Sequence, residues 1–272
     1  MSVFSGGWTL EAAEVVGFRS DISREEVLGL LGSLVEQSLV VAASETDGDD
    51  IRYRLLEPVR QYALERSEQS GEGVDARGRH AQFFLALAEP ARSRVRGRDQ
   101  VVWLGRLQRE HDNLRGALTW ALSVGEAEIA ARLGWALEVF WWIRGYQREG
   151  RRWMEHVLVM RDQLSLFLQA RAVMAALTTA YGEGDAAAVE RYAEEPMDLS
   201  QRLGGDPYAE AFARAGLGLV ATKGGDYRGA MGHLEEALPL FHEAGDEGMA
   251  SQAYSWVGTL LLLQSDYDGA KI

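Results

Sequence analysis

With 272 residues, the chain is long enough for about two units, each able to bury a core. Its residues are 47% hydrophobic, with 30 glycines, five prolines and no cysteine, which suits a helix-rich folded protein and excludes disulfides, thiolate metal sites and thiol nucleophiles. A net charge of −13 opposes non-specific attraction to phosphate backbones, and with neither a secretory leader pattern nor an apolar run of membrane-spanning length, a cytoplasmic protein without membrane contact is expected.

The first elements read as a small α/β module. Thr9 caps a short helix to about Val16, and residues 17–21, GFRSD, break its period. Ser23 and Glu26 form a capping-box pair ahead of a stripe of Val27, Leu30, Leu31, Leu34 and Val35 that ends near Ser38. Leu39 to Ala43 is a short apolar strand, and Ile51, Tyr53 and Leu55 alternate with Arg52 and Arg54 as in a half-buried one. The polar 44–50 segment, with Asp47-Gly48, joins them as a hairpin. Pro58 suits a first helical turn, from which Val59, Tyr62, Ala63 and Arg66 continue a helix toward Gly71. Helix, helix, hairpin, helix describes a winged-helix-like module over residues 1–72, without its first helix. Its candidate recognition helix carries Glu25, Glu26 and Glu36 against one arginine, Arg24, which is poor chemistry beside phosphates. A structural or protein-contacting winged helix is favoured over a DNA-reading one.

The segments FSGGWTLEAAEVV, LLGSLVEQSLVV and YRLLEPVRQYALERSEQSGE resemble the winged-helix portion of bacterial signal-transduction ATPases of the STAND class, whose nucleotide-binding domain is NB-ARC-like. WLGRLQREHDNLRGALTWAL and FWWIRGYQREGRRWMEHVL resemble the helical segment that follows in that class. The resemblance implies a signalling or transcriptional regulator in which an ATPase domain precedes a winged helix and tetratricopeptide-like repeats. No G-x-x-x-x-G-K-[ST] occurs in this chain, so the class's phosphate-binding residues map onto no position here.

Residues 73–165 read as a helical linker with degenerate repeats. A helix from about Asp75 to Glu89 carries His80, Phe83, Phe84 and Leu87, with Pro90 expected to end it. Arg92, Arg94, Arg96 and Arg98 form a basic cluster that reads as a solvated loop or helix end. Trp103, Leu104, Leu107, His111, Leu114, Leu118 and Leu122 trace one long helical face, and Leu133, Leu137, Phe140 and Trp141 another that gives way near Gly145. Trp103, Trp120, Trp135, Trp141 and Trp142 are expected mostly to fill gaps between helices.

Residues 166–272 carry the clearest repeats. Asp185, Asp226 and Asp266 sit in related turns at steps of 41 and 40 residues, longer than the roughly 34 of a standard tetratricopeptide unit. In the best-formed unit, 211–240, Gly218 and Ala230 are small where helices must approach, and Leu234 is large where a gap must be filled. The unit before it is degenerate, with Pro196 where Ala237 corresponds, and the last stops at Ile272 as a cut edge. The expected fold is mainly α: a winged-helix-like module with one β-hairpin, then a tetratricopeptide-like superhelix.

No catalytic, cofactor or metal site is expected. The three G-x-G-x-x-A matches, at Gly71, Gly182 and Gly216, lack a preceding strand, and His80, His111, His156, His233 and His242 read as surface or interface histidines without metal spacing. The expectation is a non-enzymatic regulatory fragment whose partner is a protein, a peptide or the ATPase domain of the same parent chain, nucleic acid being disfavoured. Helix geometry nominates a concave face of Phe212, Ala215, Leu219, Thr222 and Lys223, then Gln252, Ser255, Thr259, Leu262 and Leu263. The alternative is a DNA-binding transcriptional effector using the winged helix.

Overall fold

The computed structural model describes residues 1–18, 23–44, 51–193, 195–202, 204 and 206–264. These form two compact units, Met1–Ala91 with Asp99–Leu133, and Arg92–Arg98 with Gly134–Ile272.

In the first unit, β1 (Trp8–Thr9) leads into α1 (Leu10–Gly17), where the Thr9 hydroxyl accepts the Ala12 amide as expected. α2 (Arg24–Glu36) starts at the full Ser23–Glu26 capping box. β2 (Val40–Ser44) and β3 (Ile51–Leu55) pair antiparallel with Ala42 opposite Tyr53, and β1 adds on the other side of β3, giving the order β1-β3-β2. The Asp47-Gly48 turn lies outside the described residues. The alternation expected of β3 holds from Tyr53 to Leu55, with Tyr53 buried, Arg54 exposed and Leu55 half-buried, but fails before it, where Ile51 is 49% exposed and Arg52 is drawn inward. Phe4 stacks on Trp8 at 5.2 Å and meets Phe84 edge-on, so the chain start is part of this core.

α3 (Glu57–Gln69) begins with Pro58 in its first turn and buries no residue. α4 (Gly73–Arg94) does not stop at Pro90, contrary to expectation. Proline removes one helix hydrogen bond, but Ala91 beyond it is fully buried and that packing holds the helical course. The long face expected from Trp103 to Leu122 is broken into α5 (Gln100–Arg109) and α6 (His111–Val124) at Glu110, whose carboxylate is claimed by other partners.

The second unit is built from helix pairs. Their first helices, α7 (Ala127–Arg144, entering at Gly134), α9 (Leu166–Glu183), α12 (Pro207–Gly224) and α14 (Glu247–Leu263), start 39, 41 and 40 residues apart. The second helices are α8 (Gln147–Val159), α10 (Ala186–Ala193) with α11 (Glu195–Arg202), and α13 (Tyr227–Glu243). The degenerate unit therefore has its second helix in two pieces, with Pro196 in the first turn of α11, where proline is tolerated. Asp266, expected in the turn of the last unit, lies outside the described residues.

The recurring Gly-Asp turn has a double role. Gly184 and Gly225 have φ near +80°, and the amides of Asp185 and Asp226 reach back to Ala180 and Ala221 at 3.1 and 2.9 Å, closing one helix. The same aspartates then accept the amides of Ala188 and Gly229, opening the next. Gly218 packs as anticipated, since a Cβ there would stand 3.0 Å from Leu234 and 3.3 Å from the Ala230 carbonyl. Gly216 likewise abuts Leu177, which makes it a helix-packing position.

Candidate interaction surfaces

The recognition-helix position, α2, turns Val27 and Leu31 inward and leaves Glu26, Ser33 and Glu36 outward, with Leu28 and Leu30, each about half exposed, on its two flanks. Among the described side chains this outward face carries no cation.

Arg52, which a wing could offer to a phosphate, is instead committed within the unit. Its guanidinium bonds both oxygens of Glu110, one of them at 3.1 Å, and donates to the carbonyls of Gly7 and Arg109 at 3.2 and 3.1 Å. Asn113, fully buried, donates to the Gly7 carbonyl and to Glu110 at 2.8 and 2.7 Å, while its Oδ1 accepts the Ser5 amide. The network ties the chain start and the wing to the junction of α5 and α6. Periodicity gave no signal for it, because its members are up to 108 residues apart.

His80 completes this cluster, with Nε2 3.4 Å from Asn113 Oδ1 and its ring against Phe4 and Phe84. His80 and His111 are thus core residues, correcting the surface reading, because each falls on the apolar stripe of its helix. Burial, only partly opposed by the Asn113 hydrogen bond, pushes His80 down to about 4. The unfolded chain binds a proton near pH 6.5 that the folded chain refuses. Stability is therefore full above pH 6.5 and is lost as pH falls toward 4, by on the order of 2–3 kcal/mol. Urea unfolding of the first unit at pH 7 and pH 4.5 checks this, and His80→Gln should flatten the dependence in that window.

Two cavities of about 520 Å³ also lie in this unit. One is walled by Val27, Leu30, Leu31 and Leu34 of α2 with Arg79 and Asp75, the other by Phe83, Trp103, Arg106 and Glu11.

The ten residues nominated on the repeat face separate into two groups. Phe212, Ala215 and Leu219 are buried and cannot touch a partner directly. Phe212, only 3% exposed, packs edge-on against Trp135, Tyr208 and Phe241, because α12 is flanked by helices on the side that the nomination took as open. Thr222 is half-buried and donates to the Gly218 carbonyl. Lys223 is exposed, with Nζ 5.6 Å from the Tyr181 ring. On α14, Gln252 is half-buried while Ser255, Thr259, Leu262 and Leu263 are exposed along one side.

The arginine run also departs from its solvated reading. Arg94 and Arg98 are exposed, but Arg92 and Arg96, four residues apart, turn inward in the second unit. Arg92 Nη1 donates to Glu138 at 2.8 Å and to the Trp135 carbonyl at 3.0 Å, and its guanidinium lies 3.6 Å from the Trp135 ring centroid. Burial raises the Glu138 carboxyl, but the charges of Arg92 and Arg96, with hydrogen bonds from Arg92 and Thr178, outweigh it and hold the group below the usual range.

The succession of α1, α2 and the β2–β3 wing decides the first assignment, since residues 1–68 match the family described as the winged helix-turn-helix domain. The fold of this segment is that of a winged helix. Over 98% of its length the chain is also 32% identical to proteins of Mycobacterium bovis and Mycobacterium tuberculosis that carry provisional names as HTH-type transcriptional regulators. It spans 30% of the length of those relatives. A crystal structure of a STAND protein with a tetratricopeptide repeat sensor, from Pyrococcus horikoshii, aligns with 99% of the chain and 47% of its own at 16% identity and a TM-score of 0.38. Sequence reasoning found the winged helix-turn-helix domain through its caps and strand alternation, and missed the polar contacts that fasten it.

Proposed function

We propose that the chain is a non-catalytic regulatory region, in which helical repeats take up a protein or ligand and the winged helix-turn-helix domain makes protein contacts within a cytoplasmic signalling or transcriptional regulator. The division of labour is winged helix over 1–72, helical linker over 73–165 and repeats over 166–272, with an ATPase domain elsewhere in the parent polypeptide as its effector. The observation that carries this reading is the outward face of α2, where Glu26 and Glu36 point out between half-exposed flanks formed by Leu28 and Leu30. Exposed leucines suit a protein surface, and the carboxylates are repelled by a phosphate backbone.

The names of the mycobacterial relatives favour a second reading, in which this domain reads DNA. Selection of duplexes from a random library by the whole chain at moderate salt separates the two. No enriched sequence is expected, and a reproducible motif bound with a steep salt dependence would overturn the proposal. On the repeats, Lys223→Glu or a Leu262→Asp/Leu263→Asp pair should weaken an established partner at least about tenfold while leaving the melt unchanged. Phe212→Ala is not a surface test, because it cuts into the core.

A further inference from the structure

Arg92 and Arg96 address one receptor site that four successive first helices assemble. α7 supplies Trp135 and Glu138, α9 supplies Thr178, α12 supplies Tyr208, and the start of α14 supplies Asp246 and Gly248. The Tyr208 hydroxyl donates to Asp246 at 2.8 Å, fixing the second carboxylate within the field of Arg96. Gly248 leaves the space Arg96 needs, since a Cβ there would stand 2.8 Å from Arg96 Cδ. Between the two arginines, Val95 is fully buried. Both guanidiniums thus face the Glu138 carboxylate, with the Trp135 indole against Arg92 and the Asp246 carboxylate near Arg96, the chemistry that recognises an arginine pair at i and i+4.

The present occupant fits incompletely. Arg92 Nη2 is buried without a hydrogen-bond partner, which disfavours the bound state of this segment. Pro90 has already removed a helix hydrogen bond just before it, and Gly97 follows it, so local release sacrifices little regular structure. A segment with the same arginines and a better-satisfied fork would outcompete it.

We propose that this site is a receptor for an Arg-x-x-x-Arg segment, filled here by the chain's own residues 92–98, and that a partner protein presenting the same pair displaces them. The proposal rests on the reading of the repeats as the binding part and names the chemistry of what they bind. Exchange at this site would free residues 92–98, the continuation of α4, so partner binding becomes a change in the chain itself.

The chain lacks cysteine, so a single introduced thiol reports on the site. Val95→Cys in the full chain should react slowly with a maleimide. A synthetic peptide of residues 87–98 should raise that rate saturably, by about tenfold if it shifts the segment from bound to free. The same peptide with Arg92→Gln and Arg96→Gln should have no effect, and Glu138→Gln in the protein should raise the rate without peptide. An unchanged rate with the native peptide, or an equal rise with the glutamine peptide, overturns the proposal. If Val95→Cys does not fold, Arg94→Cys carrying an environment-sensitive dye reads the same displacement from an exposed position. Failure here leaves partner capture through Lys223 and α14 intact, whereas loss of that capture with peptide exchange preserved would sink only the wider reading.

Discussion

Arg52→Ala is expected to cost the first unit about 3–5 kcal/mol, the range found when one partner of a buried ion pair is removed. The Glu110 side chain is only 7% exposed, and without Arg52 its carboxylate keeps just the Asn113 amide as a strong donor. The Gly7 and Arg109 carbonyls lose a donor as well. Arg52→Lys should recover part of the loss, since it restores the charge but not the fork that grips two carboxylate oxygens and three carbonyls. Adding Glu110→Gln to Arg52→Ala should also recover stability, because it removes the stranded charge, and the cycle gives the coupling directly. Urea unfolding followed by tryptophan fluorescence measures each step. A loss below about 1 kcal/mol would mean that water reaches Glu110 and that the wing is not fastened as described. The consequence for function is direct, since a wing held this way presents Arg54 but not Arg52 to any duplex.

The parts of the fold legible in the sequence are those specified by neighbours. Ser23 with Glu26, Thr9 with the Ala12 amide, and the Gly-Asp joints are contacts between residues three to five apart, and each was read correctly from spacing alone. Gly218 was legible for a related reason, because its partners Ala230 and Leu234 lie on the very next helix of the same helix pair. What stayed hidden are pairings across the chain. Arg52 finds Glu110 58 residues on, and Arg92 finds Glu138 46 residues on; strand alternation put the first toward solvent and the charge run the second. Phe212, Ala215 and Leu219 failed for another reason: periodicity identifies a face of α12 but not which faces its neighbours cover. Pro90 shows the limit of breaker rules, since the packing of Ala91 sustained a helix that local propensity would end.

Gly150→Ala is expected to destabilise the second unit by about 2 kcal/mol or more, against a helix-propensity gain of about 1 kcal/mol that the same change would bring at an open position. The sign follows from what surrounds it. A Cβ at Gly150 would stand 2.4 and 2.7 Å from two ring atoms of Trp141 and 3.2 Å from the Thr179 methyl. Trp141 is fully buried and its ring is rigid, so it cannot yield without moving a helix. Gly134→Ala meets a different neighbour, the sulfur end of Met154, whose flexible chain can swing away, so its loss should be smaller. Gly232→Ala on α13 meets nothing within 4 Å and should stabilise by about 0.5–1 kcal/mol. Urea midpoints of the three variants therefore order the sites by the hardness of their contacts. Trp141→Phe supplies the decisive cross-check: it should cost stability alone but relieve Gly150→Ala, so the double variant loses less than the two singles combined. Strict additivity would mean that the alanine is accommodated elsewhere, and that close approach of α8 to α7 at this glycine is not what sets the spacing of the first pair.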